Sequence, residues 1–192
     1  ASMDAIVEAR ASRQAIDPEG LKVRSWVKPG MAIALLVDRS GSMGGKPLAT
    51  SAMAAAAVAW RSPEDYSVIA FGKDVVVAKG QTSTKSGAQV VNDVLSLRGF
   101  GTTDLAGALL AAGDQLSRTR AGRRITVILS DCRATVEGDV QAAARALDEV
   151  VILAPLGDDA EARVLASQVG ARIACIDGPS DIPSALQTVL GD

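Results

Sequence analysis

Histidine is absent from the 192-residue chain. A Ser-His-Asp or Cys-His relay therefore cannot be assembled within it, and a zinc site would have only two thiols to draw on. Those thiols, Cys132 and Cys175, are the only cysteines. The strand reading below puts them on or after strands that are not neighbours, too far apart for a bridge, and an unbridged pair fits a reducing compartment. Aromatic residues are almost as scarce: Trp26, Trp60, Tyr66, Phe71 and Phe100 are all there are. With 48% hydrophobic residues the chain still fills a full-sized core, but from Ala, Val, Leu and Ile, the residues of parallel sheets packed closely on helices. Basic clusters are missing too. The formal net charge is −2, and no stretch combines Lys or Arg with stacking aromatics, which argues against nucleic acid as a partner. The longest apolar runs, Met31–Val37 and Ala52–Trp60, are well short of the roughly 20 residues of a membrane helix. No charged-then-apolar signal peptide opens the sequence, so a soluble, cytoplasmic chain without membrane contact is expected.

What the chain does contain is a rhythm. From Met31 onward, short apolar runs alternate with Ala-rich stretches, the pattern of βαβ units in an α/β fold. Strands are expected at Met31–Val37, Tyr66–Phe71, Val75–Ala78, Arg124–Ser130, Val150–Ala154 and Arg172–Ile176. Helices are expected at Pro47–Trp60, Ser86–Ser96, Asp104–Arg118, Gly138–Asp148, Asp159–Val169 and Pro179–Leu190. The turn Phe71-Gly72-Lys73-Asp74 is too short for a crossover, which makes Val75–Ala78 an antiparallel edge strand. Residues 1–29 break the rhythm and read as an N-terminal arm: a helix at Met3–Ala15, a turn at Asp17-Pro18-Glu19-Gly20, a strand at Leu21–Val27. Ala1-Ser2 before Met3 resembles a cloning remnant. Residues 30–192 are expected to form one domain.

Directly after the first strand comes Asp38-Arg39-Ser40-Gly41-Ser42-Met43. Oxygen-bearing side chains at every second residue turn to one side of an extended segment. One carboxylate and two hydroxyls make a partial octahedral shell for a hard ion such as Mg²⁺ or Mn²⁺, and Gly41 and Gly44-Gly45 let the backbone curl around it. In an open α/β sheet the binding crevice lies at the carboxyl ends of the strands. Two further loops belong at that edge, Gly101-Thr102-Thr103-Asp104 and Ser130-Asp131-Cys132-Arg133. Simpler uses of these residues stand alongside: Ser and Asp as turn caps, Thr102 and Thr103 as caps of the following helix, Asp131 salt-bridged to Arg133 or Arg39. The same two arginines would make a positive rim for an acidic ligand. Gly45-Lys46 is not a phosphate loop, because Ser40 stands where a Gly is needed and Pro47 where a Ser or Thr is needed.

The set resembles the metal-ion-dependent adhesion site of the von Willebrand factor A family, whose pattern is Asp-x-Ser-x-Ser, a later Thr and a later Asp. On that pattern Asp38, Ser40, Ser42, Thr103 and Asp131 are the metal residues, assigned without distinguishing direct from water-mediated contact for Thr103 and Asp131. Leu105-Ala106-Gly107-Ala108-Leu109 and Val127-Ile128-Leu129-Ser130-Asp131 extend the likeness, which spans about Met31 to Leu190. Cys132 departs from it, since a Gly usually follows the last Asp. The resemblance implies a doubly wound, mostly parallel six-stranded sheet with helices on both faces. It also implies a non-enzymatic module whose Mg²⁺, with Mn²⁺ or Ca²⁺ as substitutes, binds a Glu or Asp of a partner protein. A Mg²⁺-dependent phosphohydrolase is the alternative, but Ser40 occupies the place of the second carboxylate such enzymes carry. Among family members the chain is most similar to intracellular ones such as the magnesium chelatase D subunit, which implies a MoxR-type or chelatase-type AAA+ ATPase as partner.

Overall fold

Six consecutive residues, Ala32–Val37, are at most 1% exposed, so the strand they form must be covered on both faces. That strand, β1 (Met31–Asp38), lies inside the sheet in a computed structural model that describes residues 30–39, 47–97 and 101–191. After it come α1 (Pro47–Arg61), β2 (Tyr66–Phe71), β3 (Val75–Lys79), α2 (Gly87–Ser96), α3 (Leu105–Leu116) and β4 (Arg123–Leu129). The remainder is α4 (Val140–Arg145), β5 (Glu149–Pro155), α5 (Ala160–Val169), β6 (Arg172–Ile176), a 3₁₀ turn at Pro179–Asp181 and α6 (Ile182–Leu190). The strands form one sheet in the order β3-β2-β1-β4-β5-β6, parallel throughout except for the β2–β3 pair. This is the doubly wound α/β sheet with one antiparallel edge strand. The arm expected over residues 1–29 lies outside the described residues, as do Ser40 and Ser42.

Alternation along the strands divides the core in two. Ile33, Leu35 and Val37 face α1, α2 and α6, together with Val68, Val127 and Leu153. Ala32, Ala34 and Leu36 face α3, α4 and α5, together with Ile69, Ile128 and Ile152. Small residues on the second face let α3 come close, through Ala108 and Ala112. Among the described residues no helix is long and apolar enough to cross a membrane.

Some element boundaries differ from the sequence reading, for local reasons. Ser86 caps α2 instead of starting it, accepting from the backbone N–H of Gln89. The fourth helix is only Val140–Arg145, shorter than Gly138–Asp148, because Asp139 caps it at the Ala142 N–H and Glu149 already belongs to β5. The last helix is split: Pro183 has no N–H to donate and sits at the second position of α6, so a separate 3₁₀ turn precedes it. Cys132 follows β4 and Cys175 lies in β6, with β5 between them, and both are free thiols.

Ser67 and Thr126 flank Ala34 in register on the α3 side. Both are fully buried, and neither hydroxyl has a hydrogen-bond partner. An orphaned buried hydroxyl is destabilising relative to an apolar group of the same shape. Thr126→Val is therefore expected to raise unfolding stability by about 1 kcal/mol in urea titration; a loss of that size would mean that the hydroxyl is satisfied.

Candidate functional site

The chain leaves β1 for β2 on one side and returns later to place β4 on the other, so the direction of winding reverses between β1 and β4. In sheets of this kind a crevice opens beyond the carboxyl ends of the two strands at that point. Asp38 is the last residue of β1 and 1% exposed. The parallel register carries Val37 alongside Leu129, and the next residue of the second strand, Ser130, reaches Asp38: its hydroxyl donates to Asp38 Oδ2 at 2.5 Å. Asp131 follows and is completely buried. Its Oδ1 accepts from the backbone N–H of Arg133 at 3.0 Å, whereas its Oδ2 is buried with no hydrogen-bond partner.

Thr103 arrives from the third loop and is 2% exposed. It does not cap α3; Asp104 does, accepting from the Gly107 N–H at 2.8 Å. The backbone of Thr103 is held from both sides by the segment after β4. Its N–H donates to Thr135 Oγ1 at 2.7 Å, and its carbonyl accepts from the N–H groups of Thr135 and Val136 at 3.1 and 3.3 Å. The Asp104 N–H donates to the Gly72 carbonyl at 2.8 Å, which ties the same loop to the end of β2. Gly138 permits the close approach of the post-β4 segment to α3, since a Cβ there would lie 2.6 Å from Ala106 Cβ. Three of the five residues expected from sequence are thus placed at one edge. Asp38 and Asp131 are joined through Ser130, and Thr103 is tied to the loop that follows Asp131. Ser130 and Thr135 had no place in the expected set. A hydroxyl directly before Asp131 was visible in sequence, but nothing marked Thr135.

The expectation for Arg133 needs correction. The Arg133 guanidinium does not turn to Asp131. It pairs with Asp158 and, at 3.3 Å, with Glu161, and these two carboxylates hold its pKa above the usual arginine value, Asp158 contributing most. A rim at this position is not positive. Arg39 donates from its guanidinium to the Asp74 carbonyl at 3.2 Å, fastening the end of β1 to the β2–β3 turn.

Two buried carboxylates at the ends of neighbouring strands, one with an unpartnered oxygen, are costly unless positive charge compensates them. Among the described residues no group of three or more His, Cys, Asp or Glu gathers, so a cation here would draw on a mixed shell of carboxylates and hydroxyls. That is the chemistry of a hard divalent ion. The residues present fit such an ion.

A sequence model of the von Willebrand factor type A domain matches residues 33–134, just over half of the chain. No curated protein matches the chain in sequence. Similar solved structures include proximal thread matrix protein 1 from the mussel byssus, at 15% identity and TM-score 0.67, covering 84% of this chain and 47% of that one. Another crystal of the mussel protein has a zinc-occupied MIDAS motif (TM-score 0.64). The manganese-loaded TRAP protein of Plasmodium vivax has 16% identity and TM-score 0.66, covering 85% and 74%. A von Willebrand factor type A protein from Catenulispora acidiphila has 17% identity and TM-score 0.63, covering 84% and 42%. At such identities the likeness establishes the fold, and the chain spans less than half the length of the mussel protein.

The site's electrostatics also bear on thiol chemistry. Burial, and then the carboxylates of Asp131 and Asp38, push the Cys132 thiol up to about 12. Very little of it is therefore thiolate at pH 8. Native protein treated with iodoacetamide should be alkylated at the part-exposed Cys175 well before Cys132, as read by peptide mass spectrometry. Both thiols should react after denaturation. Equal native rates would contradict the burial of Cys132.

Proposed function

The chain belongs to the von Willebrand factor type A domain family, and on that premise we propose that it is a metal-dependent protein-binding module. Asp38, Ser40, Ser42, Thr103 and Asp131 hold a divalent cation, Mg²⁺ or Mn²⁺, that receives a Glu or Asp side chain of a partner protein. The observation that carries the reading is the unpartnered, fully buried Oδ2 of Asp131 beside the Asp38–Ser130 pair. When bound, the cation supplies positive charge and a coordination position open to an incoming carboxylate.

The chain's own residues do the rest. Asp38 and Asp131 contribute anionic oxygens from the ends of two adjacent strands, so the spacing between them is set by the sheet. Thr103 contributes a hydroxyl from a loop clamped by Thr135. Arg133 offsets the charge of Asp158 and Glu161, so Arg133→Ala leaves two carboxylates uncompensated and should slow association of an acidic partner without abolishing it.

On resemblance alone we extend the proposal to the cellular setting. The domain works in the cytoplasm beside a MoxR-type or chelatase-type AAA+ ATPase, in the manner of the magnesium chelatase D subunit, and residues 1–29 form an arm outside the domain proper. The phosphohydrolase reading loses ground because Ser40 stands where a second carboxylate is needed.

Titration calorimetry tests the site. Wild-type protein should bind one Mn²⁺ or Mg²⁺, and Asp38→Ala should bind neither measurably while keeping its circular dichroism spectrum. Unchanged affinity in the variant would sink the assignment. Capture of a partner from native lysate should be abolished by chelator and restored by Mg²⁺; capture that ignores the chelator would move the interface elsewhere on the domain.

A further inference from the structure

Ser130 belongs to none of the motif positions, yet it is completely buried, next to Asp131 in the chain and hydrogen-bonded to Asp38. Its hydroxyl accepts from the Cys132 N–H at 2.9 Å and lies 2.5 Å from Asp38 Oδ2. A backbone N–H can only donate, so the hydroxyl accepts there and has its single proton for the carboxylate. The result is a directed chain, N–H to O–H to carboxylate, in which each bond polarises the next.

The chain depends on an unusual piece of backbone. Cys132 is the only non-glycine residue among those described with positive φ, at 62°. L-residues adopt that conformation only at an energetic cost. The turn it makes brings the Cys132 N–H back onto the Ser130 hydroxyl and lets the Arg133 N–H reach Asp131 Oδ1. One local turn thus orients both carboxylates, Asp38 through Ser130 and Asp131 directly.

We propose that Ser130 is a positioning residue for the metal site, holding the Asp38 carboxylate in its binding orientation through a hydroxyl that is itself aimed by the left-handed turn at Cys132. The inference rests on the metal reading above and adds a residue to it. Groups that orient a metal ligand typically contribute about 10- to 100-fold in affinity without touching the ion. The serine is too small to fill much of the core, so its removal should affect metal binding far more than folding.

The test is Mn²⁺ affinity by electron paramagnetic resonance, following the signal of free Mn²⁺ during titration of the full chain, together with thermal unfolding in chelator. Ser130→Ala should weaken Mn²⁺ binding about 10- to 100-fold while melting close to wild type in chelator. Ser130→Thr, which restores the hydroxyl, should recover most of the affinity. Wild-type affinity in Ser130→Ala, or failure of Ser130→Thr to recover it when both variants melt like wild type, would overturn the positioning role and leave the metal reading standing. If Ser130→Ala melts far lower in chelator, Ser130→Thr decides: weak binding in a normally melting Thr variant overturns the role, and restored binding supports it. No Mn²⁺ binding by wild type would overturn both.

Discussion

Two carboxylates, Asp38 and Asp131, are removed from water at the ends of adjacent parallel strands, and one oxygen of the second has no partner. A globular core does not place charge there without compensation. The rest of the architecture bears on how that pair is held. The sheet aligns β1 with β4, the switch in winding opens the crevice beyond them, and Ser130, next to Asp131 in the chain, donates to Asp38. On the proposed reading, the unpaired oxygen is left unsatisfied by the protein alone so that a cation can satisfy it.

Rigidity around the pair comes from short-range ties between loops. Thr135 and Val136 fix the backbone of Thr103, the Asp104 N–H anchors the same loop to Gly72, and Gly138 allows the segment after β4 to lie against Ala106. Arg39 binds the end of β1 to the Asp74 carbonyl. None of these ties is strong singly. Together they connect the loops after β1, β2 and β4 and the one before α3, so that Asp38, Thr103 and Asp131, distant in the chain, share one frame.

Much of this was legible in the residues. Strands buried on both faces read as continuous apolar runs, and Met31–Val37, Tyr66–Phe71 and Val150–Ala154 were recognisable for that reason, within a residue of their observed ends. The three residues between Phe71 and Val75 disclosed the antiparallel edge. Helix ends were harder, because capping depends on side-chain geometry: Asp104 and Ser86 were read inside helices that they cap. The pairing of Arg133 with Asp158 and Glu161 joins residues 25 and 28 apart and left no local signal. Thr135 was invisible likewise, since its role is to hold the backbone of Thr103, 32 positions earlier. Asp38 ends β1, Asp131 lies two residues past β4 and Thr103 two before α3, all at the edge where the sequence reading looked for ligand oxygens.

The central claim, that the buried pair is built for a cation, is tested most directly by thermal unfolding of wild type and Asp131→Asn, each in chelator and in saturating Mn²⁺. The substitution keeps an acceptor for the Arg133 N–H and removes the buried charge. In chelator the Asn variant should melt at or above the wild-type temperature. Mn²⁺ at about a hundred times its dissociation constant should stabilise wild type by about 2.7 kcal/mol and the variant hardly at all. A variant that is less stable in chelator, and that gains as much from Mn²⁺ as wild type does, would contradict the account.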